Sequence, residues 1–523
     1  ENMMSVGVLQ FMPSSWHMAL TFVLGIYRVI MVYRAGSFNI FFAVFGAGDT
    51  GCIELKINIF ALLEIFRTAN SVLTLRLWQD TRQTMQEQEQ KVREYHLDIS
   101  VPHTGQTAES DSETDQGEAL FNAVNRSDWQ AVLPLLERYT QQSEYDPDIA
   151  SFARASLARG EGKWKTAKQE YETLLQRHPD FTRGRLDYAH LLFEGRLNRE
   201  ASSEFARLQN EDLPEAVKEN IAHFQDALNQ RQSWKGSLSA GAVHNSNINE
   251  GSGKVWCKIE IDGECWEEFS GDKPISANGI KYEAATVRHW QVKGHHGIVA
   301  RALGYGRFYR DHKDFNEHTL NLSAGYQFEN QRHTFVLAPL VEWNVSGSKT
   351  LNRAYGVRSE WNLDKGSWTW NTEAEWKHLS YADKTRLLDG SLLSVYNTLS
   401  YFPRSDLMLY GGIDWQQRKT KDPVDSYRQI SARLGAAKMF EVGFDASISA
   451  TFGIRSHREE NAVLEQRRRD KEQTYRLSIG ADRWKFAGLK PVLSYKHRRV
   501  HGNTDWLYSY KQNEVGLSLV RSF

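Results

Sequence analysis

The chain has 523 residues, enough for two or three domains and a sizeable core. Lys and Arg total 64 against 65 Asp and Glu, a formal net charge of -1, so no global charge argues for nucleic acid or for a strongly charged partner. Aromatic residues make up 12%, and 12 of the 16 Trp lie from Trp234 onward, which divides the chain into two parts of different composition.

Two apolar stretches come first, "MALTFVLGIYRVIMVY" at 18–33 and "FNIFFAVFGAG" at 38–48. Both are shorter than the ~20 residues a spanning helix needs and are broken by Arg28 and Arg34. From Met31, a basic Arg34, an apolar run from Phe38 to Phe45 and small residues Gly46, Ala47 and Gly48 have the order of a secretory signal. "INIFALLEIF" at 57–66 behind Lys56 has a rival claim despite Glu64, so residues 1–80 are assigned to a leader with its cleavage position open. Residues 81–117, rich in Gln, Glu, Thr and Ser, bury too little to offset their ordering entropy and are expected to form a tether.

Residues 118–232 carry helical periodicity. A shift of 34 residues aligns Ala155 with Ala189, Ala167 with Ala201, Tyr171 with Phe205 and Leu174 with Leu208, the period and small/aromatic pattern of a tetratricopeptide (TPR) repeat. Pro179 and Pro214 stand where second helices should stop. "GEALFNAVNRSDWQAVLPLLERYTQQ" upstream and "PEAVKENIAHFQDALNQRQ" downstream read as flanking caps. The concave face of such an array is built by the first helix of each pair, which points to Phe152, Arg159, Arg183, His190 and Glu194 as a groove for a peptide or protein segment; an ordinary solvated face is the alternative for any one of them.

From residue 233 the period changes to two. "FDASISATFGIRS" sets Phe444, Ala446, Ile448, Ala450, Phe452 and Ile454 on one face and Asp445, Ser447, Ser449, Thr451 and Arg455 on the other. Fourteen such segments are expected, at 235–247, 278–291, 297–310, 317–329, 332–346, 351–363, 367–379, 390–402, 406–418, 427–439, 442–456, 470–484, 490–501 and 508–523. Short links such as "NQR" and "PRS" alternate with long ones such as 248–277 and 457–469, the pattern of an antiparallel transmembrane β-barrel of the outer membrane. A mean hydropathy of -0.56 agrees with a polar lumen behind a lipid-facing apolar face. Trp290, Trp361, Trp368, Trp370, Trp415 and Trp484 fall near expected strand ends and suit aromatic girdles. A β-sandwich, with strands of about five or six residues, does not fit segments this long.

With the helical part inside, the first strand runs outward and the 248–277 loop lies outside. Its Cys257 and Cys265, eight apart, would form a loop disulfide in oxidising surroundings, or remain free thiols otherwise. "EQRRRDKEQ" at 465–473 reads as a solvated rim, with a clamp for an anionic client or lipopolysaccharide as the sharper alternative. The last residues, "NEVGLSLVRSF", form a strand that would close against the first, and Gly516, Leu519 and Phe523, with Glu514, resemble the assembly signal of outer-membrane barrels.

No G-x-S-x-G elbow, Walker phosphate loop or C-x-x-C pair occurs, and His289, His295 and His296 surround a short turn more in the manner of a solvated turn than a metal site. The expectation is a non-enzyme with no catalytic residues, no metal and no cofactor.

Four stretches, "AVNRSDWQAVLPLLERY", "LLFEGRLNREASSEFARLQNEDLP", "WKGSLSAGAVHNSNIN" and "RRRDKEQTYRLSIGADRWKFAGLKPVLSYKHRR", resemble the surface lipoprotein assembly modulator (Slam) family of gram-negative bacteria. The resemblance implies an α + β multidomain membrane protein, an N-terminal α-helical TPR domain in the periplasm followed by a 14-stranded outer-membrane barrel. It implies a translocon that delivers a surface lipoprotein, or a related secreted haem- or iron-binding client, to the cell surface. The partners it implies are the barrel-assembly machinery, periplasmic chaperones and outer-membrane lipids. A TPR-barrel polysaccharide-export porin is the rival, and its usually longer repeat array counts against it.

Overall fold

The computed structural model describes residues 114–523 except residue 463, together with the backbone of four strands before residue 58. Those strands, β1 (His17–Leu24), β2 (Tyr27–Arg34), β3 (Ser37–Gly46) and β4 (Asp49–Ile57), form an antiparallel sheet in sequence order across the stretch assigned to a leader. Their Val, Ile, Phe and Tyr content favours extended backbone. Residues 58–113, with most of the expected tether, lie outside the described residues.

Seven helices follow: α1 (Thr114–Asn125), α2 (Trp129–Thr140), α3 (Pro147–Gly160), α4 (Trp164–Arg177), α5 (Thr182–Glu194), α6 (Asn198–Gln209) and α7 (Glu215–Gln232). Local chemistry sets their ends. Asp146 accepts a hydrogen bond from the Asp148 amide at 2.8 Å, and Pro147 opens α3 where no intrahelical N–H is needed. At the end of α3 a side chain on Gly160 would stand 2.6 Å from the Trp129 ring, so only glycine lets α2 and α3 approach this closely. α4 stops two residues before Pro179, whereas Pro214 serves as the residue that opens α7.

All eight positions paired by the 34-residue shift, from Ala155 and Ala189 to Leu174 and Leu208, are fully buried. Ala155, Ala167, Ala189 and Ala201 permit close helix approach, while Tyr171 and Phe205 fill the space between layers.

Fourteen strands then close a barrel: β5 (Lys235–Asn245), β8 (Ala277–Lys293), β9 (His296–Phe308), β10 (Glu317–Glu329), β11 (His333–Ser346), β12 (Lys349–Lys365), β13 (Trp368–Tyr381), β14 (Gly390–Arg404), β15 (Leu407–Thr420), β16 (Tyr427–Phe440), β17 (Phe444–His457), β18 (Arg469–Ala481), β19 (Lys490–Gly502) and β20 (Tyr510–Ser522). Each meets the ~9 to 11 residues a tilted membrane strand requires. Inside the expected long loop 248–277 the chain instead forms a hairpin, β6 (Val255–Ile261) and β7 (Glu264–Ser270).

Along these strands, Leu320, Leu399, Ile413, Leu434, Ile448 and Leu517 are exposed on the outside, while Asn321, Glu360, Glu375, Lys377, Asp414 and Glu514 are buried. This inversion of the water-soluble pattern is what a lipid solvent demands. Trp361, Trp368, Trp370 and Trp484 are exposed at the end nearer the helices, where Trp234 also meets Trp290 edge-on at 5.8 Å. Trp415 lies nearer the middle of β15 than its expected place in a girdle, since β15 begins only at Leu407 and runs to Thr420.

β20 pairs with β5 from Glu514 opposite Asn245 to Ser522 opposite Ser237, so the closing sheet leaves no edge in lipid. The Gly236 amide donates to the Phe523 carbonyl at 2.9 Å and the Phe523 amide to Gly236 at 3.0 Å.

Candidate functional site

The inner face of the helical domain is organised by α3 and α5. Their residues stand about one repeat apart, so side chains on equivalent faces meet across the layer. Arg159 Nε bonds Glu194 Oε2 at 3.1 Å, its second nitrogen lies 2.6 Å from His190 Nδ1, and a further nitrogen is 3.7 Å from Asp187. Asp187 in turn accepts from Arg183 Nε at 3.1 Å. Thus Arg159, Arg183, His190 and Glu194 are brought together in one network.

Phe152, expected in the same groove, is instead core: it is 1% exposed, with its ring 5.6 Å from Phe121, 5.5 Å from Phe181 and 6.4 Å from Tyr171. A large apolar ring on an inner helix gains more by filling the space between layers than by facing a groove. Asp187 joins the same network, and its position four residues after Arg183 is the sequence signature of that helical ion pair.

The network has a defined electrostatic state. Burial, and then the adjacent Arg159 guanidinium, push the His190 imidazole down to about 4, so it is neutral near pH 7. Burial alone would lower Arg159, but Glu194 and Asp187 outweigh it and hold its pKa above the ordinary value. Arg159 and Glu194 keep 22% and 31% of their side-chain surface, which leaves the cation and one carboxylate within reach of a partner. At the far side of the layer, His190 meets Phe224 of α7 with ring centres 5.1 Å apart.

The helices are latched to the barrel through the turn between β8 and β9. The Arg199 amide donates to Gln291 Oε1 at 2.8 Å, Gln291 Nε2 donates to the Arg196 carbonyl at 2.7 Å, and the Gly294 amide donates to Glu200 at 3.2 Å. Arg288 Nε adds a bond to the Gln232 carbonyl at 3.0 Å. Nothing in the sequence periodicity signals this joint, because each contact is a single polar residue at an element end.

A polar cleft of about 110 Å³ beside the joint is lined by Arg196, Arg231, His289, His295, Glu329 and Asp364, among others. The three histidines have separate partners: His289 meets Gln327, His295 Nδ1 donates to the Glu329 carbonyl at 2.9 Å, and His296 Nδ1 is 2.7 Å from the Tyr326 hydroxyl. Among the described residues no group of three or more His, Cys, Asp or Glu side chains is placed to hold a metal ion.

The lumen wall is cross-tied by charge. Arg358 bonds Glu375 at 3.0 Å and Glu373 at 3.2 Å, Lys377 reaches Glu375 at 2.7 Å and Glu342 at 3.1 Å, and Arg433 pairs with Asp414 at 2.7 Å. Arg307 on β9 reaches Glu514 on β20 at 3.0 Å, across the intervening β5 and β8. Paired in this way, the charges are tolerated inside a membrane protein. In the distal charge run, Arg468 is bonded to Asp470 at 2.9 Å and Arg467 to the His457 carbonyl at 2.7 Å.

Of the C-terminal residues, Gly516 faces the lumen side of β20 near Ser494, Leu519 is exposed to lipid, and Phe523 ends the seam against Gly236. Cys257 and Cys265 are joined as a disulfide with Cα atoms 5.6 Å apart.

Comparison with known proteins places this architecture. A hemophilin secretion modulator of Acinetobacter baumannii is 30% identical over 488 residues, 88% of this chain and 97% of the relative. Surface lipoprotein assembly modifier 1 of Neisseria meningitidis serogroup B is 25% identical over 77% of this chain and 82% of its own length. Among solved structures, the outer-membrane channel DcaP of Acinetobacter baumannii covers 56% of the chain at 9% identity with a TM-score of 0.31. Residues 109–205 match the N-terminal TPR repeats of the surface lipoprotein assembly modifiers. Residues 234–523, more than half of the chain, match the model for the modifiers themselves, so this outer-membrane protein, with its helical domain on the periplasmic side, belongs to the surface lipoprotein assembly modifier family.

Proposed function

We propose that the chain carries a protein client, a lipoprotein or a secreted haem-binding protein, across the outer membrane to the cell surface, with the helical domain capturing the client in the periplasm. The client class follows from the relatives, which are named for surface lipoprotein assembly and for hemophilin secretion. The observation that carries the capture step is the latch of Gln291, Arg199 and Glu200, which fixes the helical layer at the periplasmic mouth of the barrel.

The client-binding face is made by Arg159, Arg183, His190 and Glu194. In the resting protein Arg159 and Arg183 are satisfied by Glu194 and Asp187, and an unfolded segment binds by exchanging its own charged groups for these partners. The periplasm supplies no ATP, so net movement comes from folding of the client outside, which makes return unfavourable. Periplasmic chaperones hold the client beforehand, and the barrel-assembly machinery inserts the barrel using Gly516, Leu519 and Phe523. Residues 1–80 serve as leader and 81–117 as tether.

The test is co-expression of the full chain with hemophilin in a gram-negative host and surface labelling of intact cells. Labelling that depends on this chain supports the reading. Equal labelling without it, at equal hemophilin expression, contradicts it.

A further inference from the structure

The β6–β7 hairpin has no part in the function above, yet it is built as a rigid platform. It rises from the loop between β5 and β8, at the end of the barrel away from the helices, which is the cell exterior. The Cys257–Cys265 disulfide ties its two strands. Asp262 and Gly263 make its tight turn with φ of 53° and 79°, the positive pair that matches strand twist in a two-residue hairpin.

A second anchor holds it against the last extracellular loop and its short helix α8 (Asp505–Tyr508). The Trp256 ring stacks on Trp506 at 5.9 Å and 7°, and Phe269 lies 5.7 Å from the same indole. Lys254 pairs with Asp505, and Ser252 Oγ donates to the Trp506 carbonyl. Two loops from opposite ends of the barrel sequence are thereby joined.

What this platform presents is unusual for a loop in water. Trp266 is 71% exposed, and Val255 at the base of the hairpin and Ile261 at its tip are exposed as well. Residues 255–270 contain five acidic residues, Glu260, Asp262, Glu264, Glu267 and Glu268, against the single Lys258. An exposed indole on a hairpin rich in acidic residues suits an anchor for a cationic, apolar-bearing chain. The same carboxylates repel anionic lipid headgroups, so Trp266 is poorly suited to burial in the outer leaflet.

We infer that the β6–β7 hairpin is an extracellular docking surface for a basic, apolar-bearing segment of the client as it emerges from the membrane. This rests on the functional reading above. By holding the emerging segment outside, the hairpin opposes back-sliding until the client has folded.

The experiment replaces Trp266 by the photo-crosslinker benzoylphenylalanine in the full chain, with hemophilin as the client probe, and places the same group at Leu387, an exposed residue of a different outer loop. A hemophilin adduct at position 266, at least fivefold stronger than at 387 and reduced by E264K/E268K, is the expected result. Barrel heat-modifiability and disulfide content confirm that each variant is folded. Surface display of hemophilin without an adduct at 266, equal adducts at both positions, or an adduct to lipopolysaccharide overturns the docking proposal while leaving the functional reading standing. Failure of the unmodified chain to display hemophilin overturns both.

Discussion

Replacing Arg159 by Met keeps most of the side chain's length and removes its charge and its hydrogen-bond donors, so the outcome isolates the network between α3 and α5. The change leaves Glu194 and His190 without their shared partner and removes one of two cations from Asp187. Exposed ion pairs are worth about 0 to 1 kcal/mol, and breaking a fully buried pair costs about 3 to 5. With Arg159 and Glu194 still a fifth to a third exposed, the expected loss is about 2 kcal/mol. For a domain of this size that is roughly 8 °C in Tm.

The pH profile supplies a second, independent signature. His190 has a folded pKa of about 4, below the unfolded value of about 6.5. Stability linked to it is therefore complete above the unfolded pKa and is lost as pH falls from about 6.5 towards 4, by on the order of 3 kcal/mol. Arg159 is one cause of that depression, so R159M narrows the window and reduces the loss on acidification, while H190Q abolishes it. Far-ultraviolet circular dichroism of the full chain, melted at about pH 7.5 and about pH 5, reads both effects on the helices. If R159M melts with the wild type at neutral pH and keeps the same acid sensitivity, the network has no energetic role and the reasoning is wrong.

Phe152→Ala opens a cavity among Phe121, Tyr171 and Phe181 and should cost about 3 to 5 kcal/mol, read by the same melts, with little change in pH dependence. Gly241→Ala places a Cβ 2.1 Å from the Leu517 carbonyl and 2.3 Å from Ser518 Cα, so the β5–β20 seam must part; a lower yield of heat-modifiable barrel is expected, and a normal yield would show that the seam yields cheaply. Deletion of Phe523 removes both hydrogen bonds to Gly236 and should slow barrel insertion in a pulse-labelled membrane fraction, whereas wild-type insertion would deny it an assembly role. The pair Q291A/E200A frees the helices from the β8–β9 turn and should expose that turn to protease without lowering the barrel's own stability.

Much of the fold is written in periodicity. A barrel strand must alternate lipid and lumen residues over its whole length, so Phe444 to Ile454 announce β17 without any tertiary information. The helical repeat is equally legible, because Ala155, Ala167, Tyr171 and their partners 34 residues on recur as small and aromatic residues at the buried contacts between helices. The β6–β7 hairpin was hidden by the uneven spacing of apolar residues in "VWCKIEIDGECWEEFS", where register shifts at Cys257 and Ile259 break the two-residue pattern.

The site was less legible for a different reason. Repeat period places Arg159, His190 and Glu194 on facing helices, but it does not distinguish a groove residue from one between layers, and Phe152 fell on the wrong side of that line. The joint through Gln291, Arg199 and Glu200 depends on two remote segments meeting, which no local pattern encodes.

The central claim is that a barrel with a periplasmic capture domain moves a protein to the cell surface, and it is tested most directly by removing the capture domain alone. Cells expressing hemophilin with either the full chain or a chain lacking residues 118–232 are labelled with a membrane-impermeant reagent, after heat-modifiability has established equal amounts of folded barrel. The account predicts strong hemophilin labelling with the full chain and near-background labelling with the deletion. Equal labelling in the two strains would contradict it.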